Sequence, residues 1–366
     1  MAKRLAFLLP DMKGGGAERV VLSLMNAAVA RGYLVDLVLL QATGELLPLV
    51  PGQVRVIDLG APRIRAMLRP FVRYLRRERP DAIQAVMWPL TVMAVIARRL
   101  AGSRARLVLA DHTTVSRHYG HFPRWKLRLL SLSLRRFYPH ADARVTVSKG
   151  AAADLAKLAG LPESSIEVIL NPVAELSTAG AAPAGWTRPG PRVLNVGNLK
   201  PEKQQALLIR AFARAFGPGD AQLAILGEGT LRPHLEDLAQ QLGVGDQVLF
   251  PGFVADPADW YRTADLFVLS SAYEGYGLVL IEAMQAGLRI VSTDCESGPR
   301  EILADGRYGA LVPVGDEAAL GRAMRDSLAV DPDASALVER ARRLGGGQTG
   351  ERYFALMDSA GVGRPL

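Results

Sequence analysis

The chain has 366 residues, 49% hydrophobic and 22% charged, which suits two folded domains of ordinary size and argues against disorder. Its single cysteine, Cys295, excludes an intramolecular disulfide framework and fits a reducing compartment. The net charge of +8 is uneven: residues 1–175 hold 26 Lys and Arg against 13 Asp and Glu, a net of +13, and the rest holds 18 against 23, a net of −5.

Met1-Ala2-Lys3-Arg4 ahead of Leu5–Leu9 opens like a secretion signal. Asp11, Lys13 and three glycines cut the apolar run short, so a buried first strand is expected instead. No stretch approaches the roughly 18 apolar residues of a spanning helix, which predicts a soluble or peripheral protein. Gly14-Gly15-Gly16 follows this strand and opens a helix near Ala17, where the backbone could approach a phosphate or a sugar. The G-x-G-x-x-G spacing of a dinucleotide-binding dehydrogenase is absent, and Asp36, the one acid at about the right distance, lies inside the second strand.

Further strand-like runs at Leu34–Leu40, Val54–Asp58, Ala82–Val86, Leu107–Ala110, Ala143–Val147 and Ile166–Ile169 alternate with helical stretches, as a parallel sheet requires. Two segments concentrate the basic charge. One holds Arg63, Arg65, Arg69, Arg73, Arg76, Arg77 and Arg79; the other interleaves Arg117, Arg124, Lys126, Arg128, Arg135 and Arg136 with Phe122, Trp125, Leu129 and Phe137. Cations among Trp and Leu on a helix suit an anionic membrane surface, and a core helix with a solvated basic face gives the same periodicity. No nucleic-acid-binding motif accompanies the charge, so no nucleic-acid partner is expected. His112 follows a strand in Asp111-His112-Thr113-Thr114, where an imidazole could bond a sugar hydroxyl or serve structurally. Ser148 and Asn171 suit caps or turns.

Residues 174–190, rich in Ala, Pro and Gly, read as a linker between a first domain at 1–173 and a second at 191–349, with a C-terminal helix in 350–366. The second domain repeats the alternation, with runs at Val193–Val196, Gln222–Leu226, Gln247–Phe250, Leu266–Leu269, Ile290–Thr293 and Gly309–Val312. Lys203 is expected to begin a helix after the first of these, placing its ammonium over a diphosphate. The fourth run leads into Glu274-Gly275-Tyr276-Gly277-Leu278-Val279-Leu280-Ile281-Glu282, a strand, loop and helix with one carboxylate in the loop and one a turn into the helix. Free amides near Gly277, Leu278 and Val279 suit a phosphate, and glutamates hold sugar hydroxyls, so a sugar nucleotide is the expected ligand. No His/Cys/Asp/Glu cluster has metal-ligand spacing, and no metal or cofactor is expected.

This last element resembles the E-x7-E motif of the retaining GT-B glycosyltransferases of family 4, group 1 type. It comes with Gly14-Gly15-Gly16-Ala17-Glu18-Arg19, Val196-Gly197-Asn198-Leu199-Lys200-Pro201-Glu202-Lys203, Leu226-Gly227-Glu228-Gly229, Val248-Leu249-Phe250-Pro251-Gly252-Phe253 and Ser297-Gly298-Pro299-Arg300-Glu301 in the family's order. The resemblance implies two doubly wound Rossmann-like domains facing across a cleft, with the last helix crossing back to the first domain. It implies a hexosyl or N-acetylhexosaminyl transferase using a nucleotide sugar, UDP-linked by family frequency, on a glycan or lipid-linked acceptor at the cytoplasmic face of the plasma membrane. By the same resemblance Glu282 would bind the ribose, Glu274 the hexose, and Gly15 and Gly16 would line the cleft. His112 would be the active-site histidine. Reaction is expected by front-face internal return, with no covalent nucleophile. The family has arginine where this chain has Asn198, so Lys200 is the alternative second cation. A soluble-acceptor transferase of the sucrose- or trehalose-synthase type, and a membrane- or nucleic-acid-binding protein with a degenerate site, are the other readings.

Overall fold

The computed structural model describes residues 2–13, 15–171, 173, 176, 183, 185–345 and 349–358. The chain divides into two compact units, Met1–Pro172 with Gly346–Leu366 and Val173–Gly345. Gly14 and most of the expected linker 174–190 lie outside the described residues.

The first unit is built on strands β1 (Arg4–Leu9), β2 (Leu34–Leu39), β3 (Arg55–Asp58), β4 (Ala82–Val86), β5 (Arg106–Asp111), β6 (Ala143–Thr146) and β7 (Glu167–Val168). They form one sheet in the order β3-β2-β1-β4-β5-β6-β7, all parallel. Leu5–Leu9 and Ala82–Val86 are buried throughout, the continuous apolar run expected of strands covered on both faces. Helices Leu68–Glu78, Leu90–Ala101 and Arg124–Phe137 pack side by side over one face, around Met67, Phe71, Leu75, Leu130, Leu134 and Tyr138. Each connection must carry the chain back to start another parallel strand, which is why a helix follows nearly every one.

The helix Thr349–Asp358 belongs to this unit and lies beside β4 and β5. Tyr33 stacks on Phe354 with ring centroids 5.6 Å apart, and Lys3 Nζ bonds Asp358 at 2.7 Å. Arg31 sits over the Phe354 ring and pairs with Glu351, and Thr349 donates to the Leu170 carbonyl at 2.8 Å.

The second unit repeats the plan with β8 (Arg192–Val196), β9 (Gln222–Leu226), β10 (Val248–Gly252), β11 (Leu266–Leu269), β12 (Arg289–Thr293) and β13 (Ala310–Val312). Its sheet runs β10-β9-β8-β11-β12-β13, again parallel. Among the described residues all thirteen strands fall within two residues of the apolar runs in the sequence. In both sheets chain order reverses beside the first strand, between β1 and β4 and between β8 and β11. Crevices at the carboxyl ends of strands flanking such a reversal are where open α/β sheets take ligands. Among the described residues no helix is long and apolar enough to cross a membrane.

Candidate active site

The loops after β8 and β11 flank the reversal of the second sheet, and they are tied together. Ala272 N donates to the Glu202 carbonyl at 2.7 Å, and Ser270 Oγ to the Lys203 carbonyl at 2.7 Å. Lys203 does not begin a helix. It ends a single 3-10 turn, Pro201–Lys203, after which Gln204 takes a left-handed φ of 49° and the helix starts at Gln205. That kink lays the Lys203 backbone against the loop after β11. Its ammonium reaches Glu274 Oε1 at 2.6 Å, and Ser271 Oγ donates to the same oxygen at 2.6 Å.

Glu274 is only 8% exposed, and the Lys203 cation and the Ser271 hydroxyl that face its carboxylate offset part of the cost of burying it. Lys203 and Glu274, read from the sequence as a diphosphate and a hexose contact, are ion-paired with each other in the structure. Three residues later Gly277 takes φ 94°, a backbone that strains any side chain, and caps the helix Leu278–Gln285. The first-turn amides of this helix, at Leu278 and Val279, have no intrahelical acceptor by geometry and carry the positive end of its dipole. Glu282 lies one turn on, its Oε2 accepting from the hydroxyl of the fully buried Tyr261 at 2.7 Å.

The site rim is glycine because backbones meet there. A Cβ on Gly298, at φ 103°, would lie 1.9 Å from the Tyr276 carbonyl oxygen, and one on Gly227 2.2 Å from that of Gly197. Gly275 is half-buried, and the Tyr276 ring is buried within the unit, so Tyr276 offers the loop its backbone rather than its hydroxyl. Asn198 is half-buried, with its carbonyl bonded by Gln205 Nε2 at 3.1 Å and by the Lys200 amide at 2.9 Å; the Lys200 side chain is exposed. Arg300 is turned to Asp294 and Asp305.

In the first unit, His112 is buried at the end of β5. Its Nδ1 lies 3.2 Å from Asn171 Oδ1, and its Nε2 has no partner among the described residues. With a carbonyl oxygen as acceptor, Nδ1 carries the proton and Nε2 the lone pair. Burial pulls the imidazole down to about 4, so it stays neutral near pH 7. Next to it, burial pushes the Asp111 carboxyl up to about 6, against the Tyr138 hydroxyl that donates to Oδ2 at 2.7 Å. Gly15 caps the helix Gly16–Ala30, and a Cβ there would lie 2.2 Å from Glu18 Oε2, so the helix's own acid folds over this glycine. Ser148 caps the helix Lys149–Ala159, accepting from Ala151 N at 3.1 Å.

The helix Arg124–Phe137 carries a buried stripe and an exposed apolar one. Leu130 and Leu134 are buried, whereas Trp125, Leu129 and Leu132 are 59%, 55% and 63% exposed among Arg124, Lys126, Arg128 and Arg135. Lys126 Nζ lies 5.5 Å from the Trp125 ring centroid. Arg117, on the short helix Val115–His118, is also exposed.

Sequence reasoning missed Ser271 as a support for Glu274 and Tyr261 as one for Glu282, and it read Asn171 as a cap or turn residue where the structure sets its side chain beside His112. Ser271 carried a signal, a polar pair ending an apolar strand, and Tyr261 carried none. Among the described residues no group of three or more His, Cys, Asp or Glu is placed to hold a metal.

Two all-parallel α/β units of this kind make the GT-B fold, which the chain shares with the solved structure of WaaG at a TM-score of 0.75 and 18% identity, covering 97% of this chain and 100% of that one. Residues 14–175 match the family model described as Glycosyltransferase Family 4, and residues 183–344 that described as Glycosyl transferases group 1. The chain belongs to this family. It is 29% identical over 351 residues to the N-acetylgalactosamine-N,N'-diacetylbacillosaminyl-diphospho-undecaprenol 4-alpha-N-acetylgalactosaminyltransferase of Campylobacter jejuni, covering 93% of this chain and 94% of that one. It is 28% identical to the lipopolysaccharide core biosynthesis glycosyltransferase LpsE of Rhizobium meliloti, covering 90% of each. Anabaena HepE, solved with UDP and glucose, superposes with a TM-score of 0.78 at 22% identity, covering 96% of this chain and 98% of that one.

Proposed function

We propose that this glycosyltransferase moves a hexosyl or N-acetylhexosaminyl group, with retention, from a UDP-linked donor to a glycan or lipid-linked acceptor of the cell envelope. The observation that carries the reading is the Lys203–Glu274 pair beside the start of the helix Leu278–Gln285. As the bond between sugar and phosphate breaks, negative charge grows on the leaving diphosphate. Lys203 and the Leu278 and Val279 amides meet that charge without reorganising, which lowers the barrier. Glu282, held by Tyr261, takes the ribose hydroxyls, and Glu274, held by Lys203 and Ser271, takes a hexose hydroxyl. Lys203 thereby links the sugar-binding carboxylate to the phosphate it must release.

Front-face return needs no carboxylate nucleophile, since the leaving phosphate takes the acceptor's proton, and no metal, since lysine and amides supply the positive charge. His112 suits an acceptor of a sugar hydroxyl bond, through its lone-pair nitrogen Nε2. The names of the two curated relatives, one acting on a diphospho-undecaprenol glycan and one on lipopolysaccharide core, support an envelope acceptor. The exposed Trp125, Leu129 and Leu132 among cations support peripheral docking on the inner face of the plasma membrane. Incubation with a panel of UDP-, GDP- and ADP-sugars and lipid extract, read by mass spectrometry of released nucleotide and product, tests the reading. UDP release tied to a glycosylated lipid supports it, and no turnover of any donor rejects it.

A further inference from the structure

Residues 293–298, after β12, run beside the loop that carries Glu274, and no step of the transfer uses their side chains. The ladder between β11 and β12 ends with Leu269 opposite Ser292. Contact continues in step beyond it: Thr293 Oγ1 donates to the Ser271 carbonyl at 2.6 Å, Tyr273 and Glu296 form a parallel bridge, and the Gly298 backbone meets the Tyr276 carbonyl. A hydroxyl has one proton, and the other carbonyl in reach, that of Leu269, lies at 3.4 Å, so the bond goes to Ser271. Thr293 thus supplies with its side chain a bond that the backbone ladder has stopped making.

Ser271 is the residue whose hydroxyl donates to Glu274 Oε1 at 2.6 Å, so Thr293 stands two hydrogen bonds from that carboxylate. Thr293 and Ser271 are both fully buried, and water cannot replace either bond. The Cys295 thiol lies beside Thr293. Burial, and then the charge of Glu274, push this thiol up to about 12, so it faces the chain of bonds as a neutral group and adds no second anion. We propose that Thr293 is a positioning residue for transfer: by fixing the Ser271 backbone it aims the Ser271 hydroxyl, and so the Glu274 carboxylate, at the hexose of the donor. The proposal rests on the reading of Glu274 as the hexose contact.

Thr293→Val keeps the branched shape and removes the donor. With whichever of UDP-glucose, UDP-galactose, UDP-N-acetylglucosamine and UDP-N-acetylgalactosamine the native protein uses best, kcat should fall roughly fivefold to tenfold, the effect of one lost orienting hydrogen bond. Calorimetric affinity for UDP, which has no hexose, should stay within about twofold of native on the same samples. Thr293→Ser keeps the hydroxyl and should restore most of kcat. Ser271→Ala should lower kcat in the same way, and adding Thr293→Val to it should cost little more, because Thr293 acts through Ser271. Native kcat in the Thr293→Val protein, a loss of UDP affinity equal to the loss of kcat, no rescue by serine, or additive losses in the double variant would each overturn the proposal. Those results reject the positioning role and leave the transferase reading intact, whereas a native protein that neither binds UDP nor turns over any of these donors rejects both.

Discussion

Replacing Lys203 by Met should destabilise the second unit as well as stop transfer. Glu274 is 8% exposed and Lys203 Nζ lies 2.6 Å from its Oε1, so the substitution leaves a buried carboxylate without its cation, with the Ser271 hydroxyl still donating to it. Breaking a buried pair costs about 3–5 kcal/mol; with the lysine 24% exposed and Ser271 in place, about 2–3 kcal/mol is expected here. For a unit of this size that is a fall in Tm of roughly 4–12 °C. Glu274→Gln added to Lys203→Met removes the stranded charge and should restore most of that loss, while transfer stays down by about a hundredfold or more. Thermal unfolding and donor turnover of the two singles and the double form the cycle. A Lys203→Met protein as stable as the native one, or a double variant no more stable than that single, would refute the reasoning.

Tyr261→Phe removes the hydroxyl that orients Glu282 and should raise KM for the donor by roughly threefold to tenfold with kcat less affected, as steady-state kinetics would show. Asp111 and His112 carry opposite pH dependence. Below pH 6.5 the unfolded chain protonates His112 while the folded chain refuses the proton down to about 4, a loss of about 3 kcal/mol. Below about 6 the folded chain protonates Asp111 before the unfolded chain does, at 3.8, a gain of similar size, about 3 kcal/mol. Denaturant unfolding at about pH 7 and about pH 4.5 should therefore show Asp111→Asn losing stability relative to the native protein on acidification, and His112→Gln gaining it. An α-linked donor should give an α-linked product by proton NMR, with turnover unaffected by EDTA; an inverted product or activity restored only by Mg²⁺ would contradict the mechanism.

The fold was legible because strands buried on both faces are continuous apolar runs, and Leu5–Leu9, Ala82–Val86 and Leu266–Leu269 read that way at once. Glu274 and Glu282 were legible as a loop and helix pair for the same local reason. Their partners were not. Lys203 and Glu274 are 71 residues apart, and only the strand order β8-β11 brings their loops together. Helical pattern alone placed Lys203 at a helix start; the left-handed Gln204, a backbone choice that glutamine does not advertise, moved the helix two residues on. Tyr261 is ordinary in sequence and Asn171 reads as a turn residue, and the hydrogen bonds of both depend on packing. Periodicity marked Arg124–Phe137 as amphipathic, but burial was needed to separate Leu130 and Leu134 from Leu129 and Leu132.

The central claim is that the loops after β8 and β11 hold the nucleotide diphosphate and its sugar. Hydrogen–deuterium exchange of the protein with and without UDP tests it directly, with Glu282→Ala as the control. Protection by UDP over 197–204 and 274–282, lost in that variant, is the predicted result; protection elsewhere, or none at saturating UDP in a protein that turns over a UDP-sugar, would contradict it.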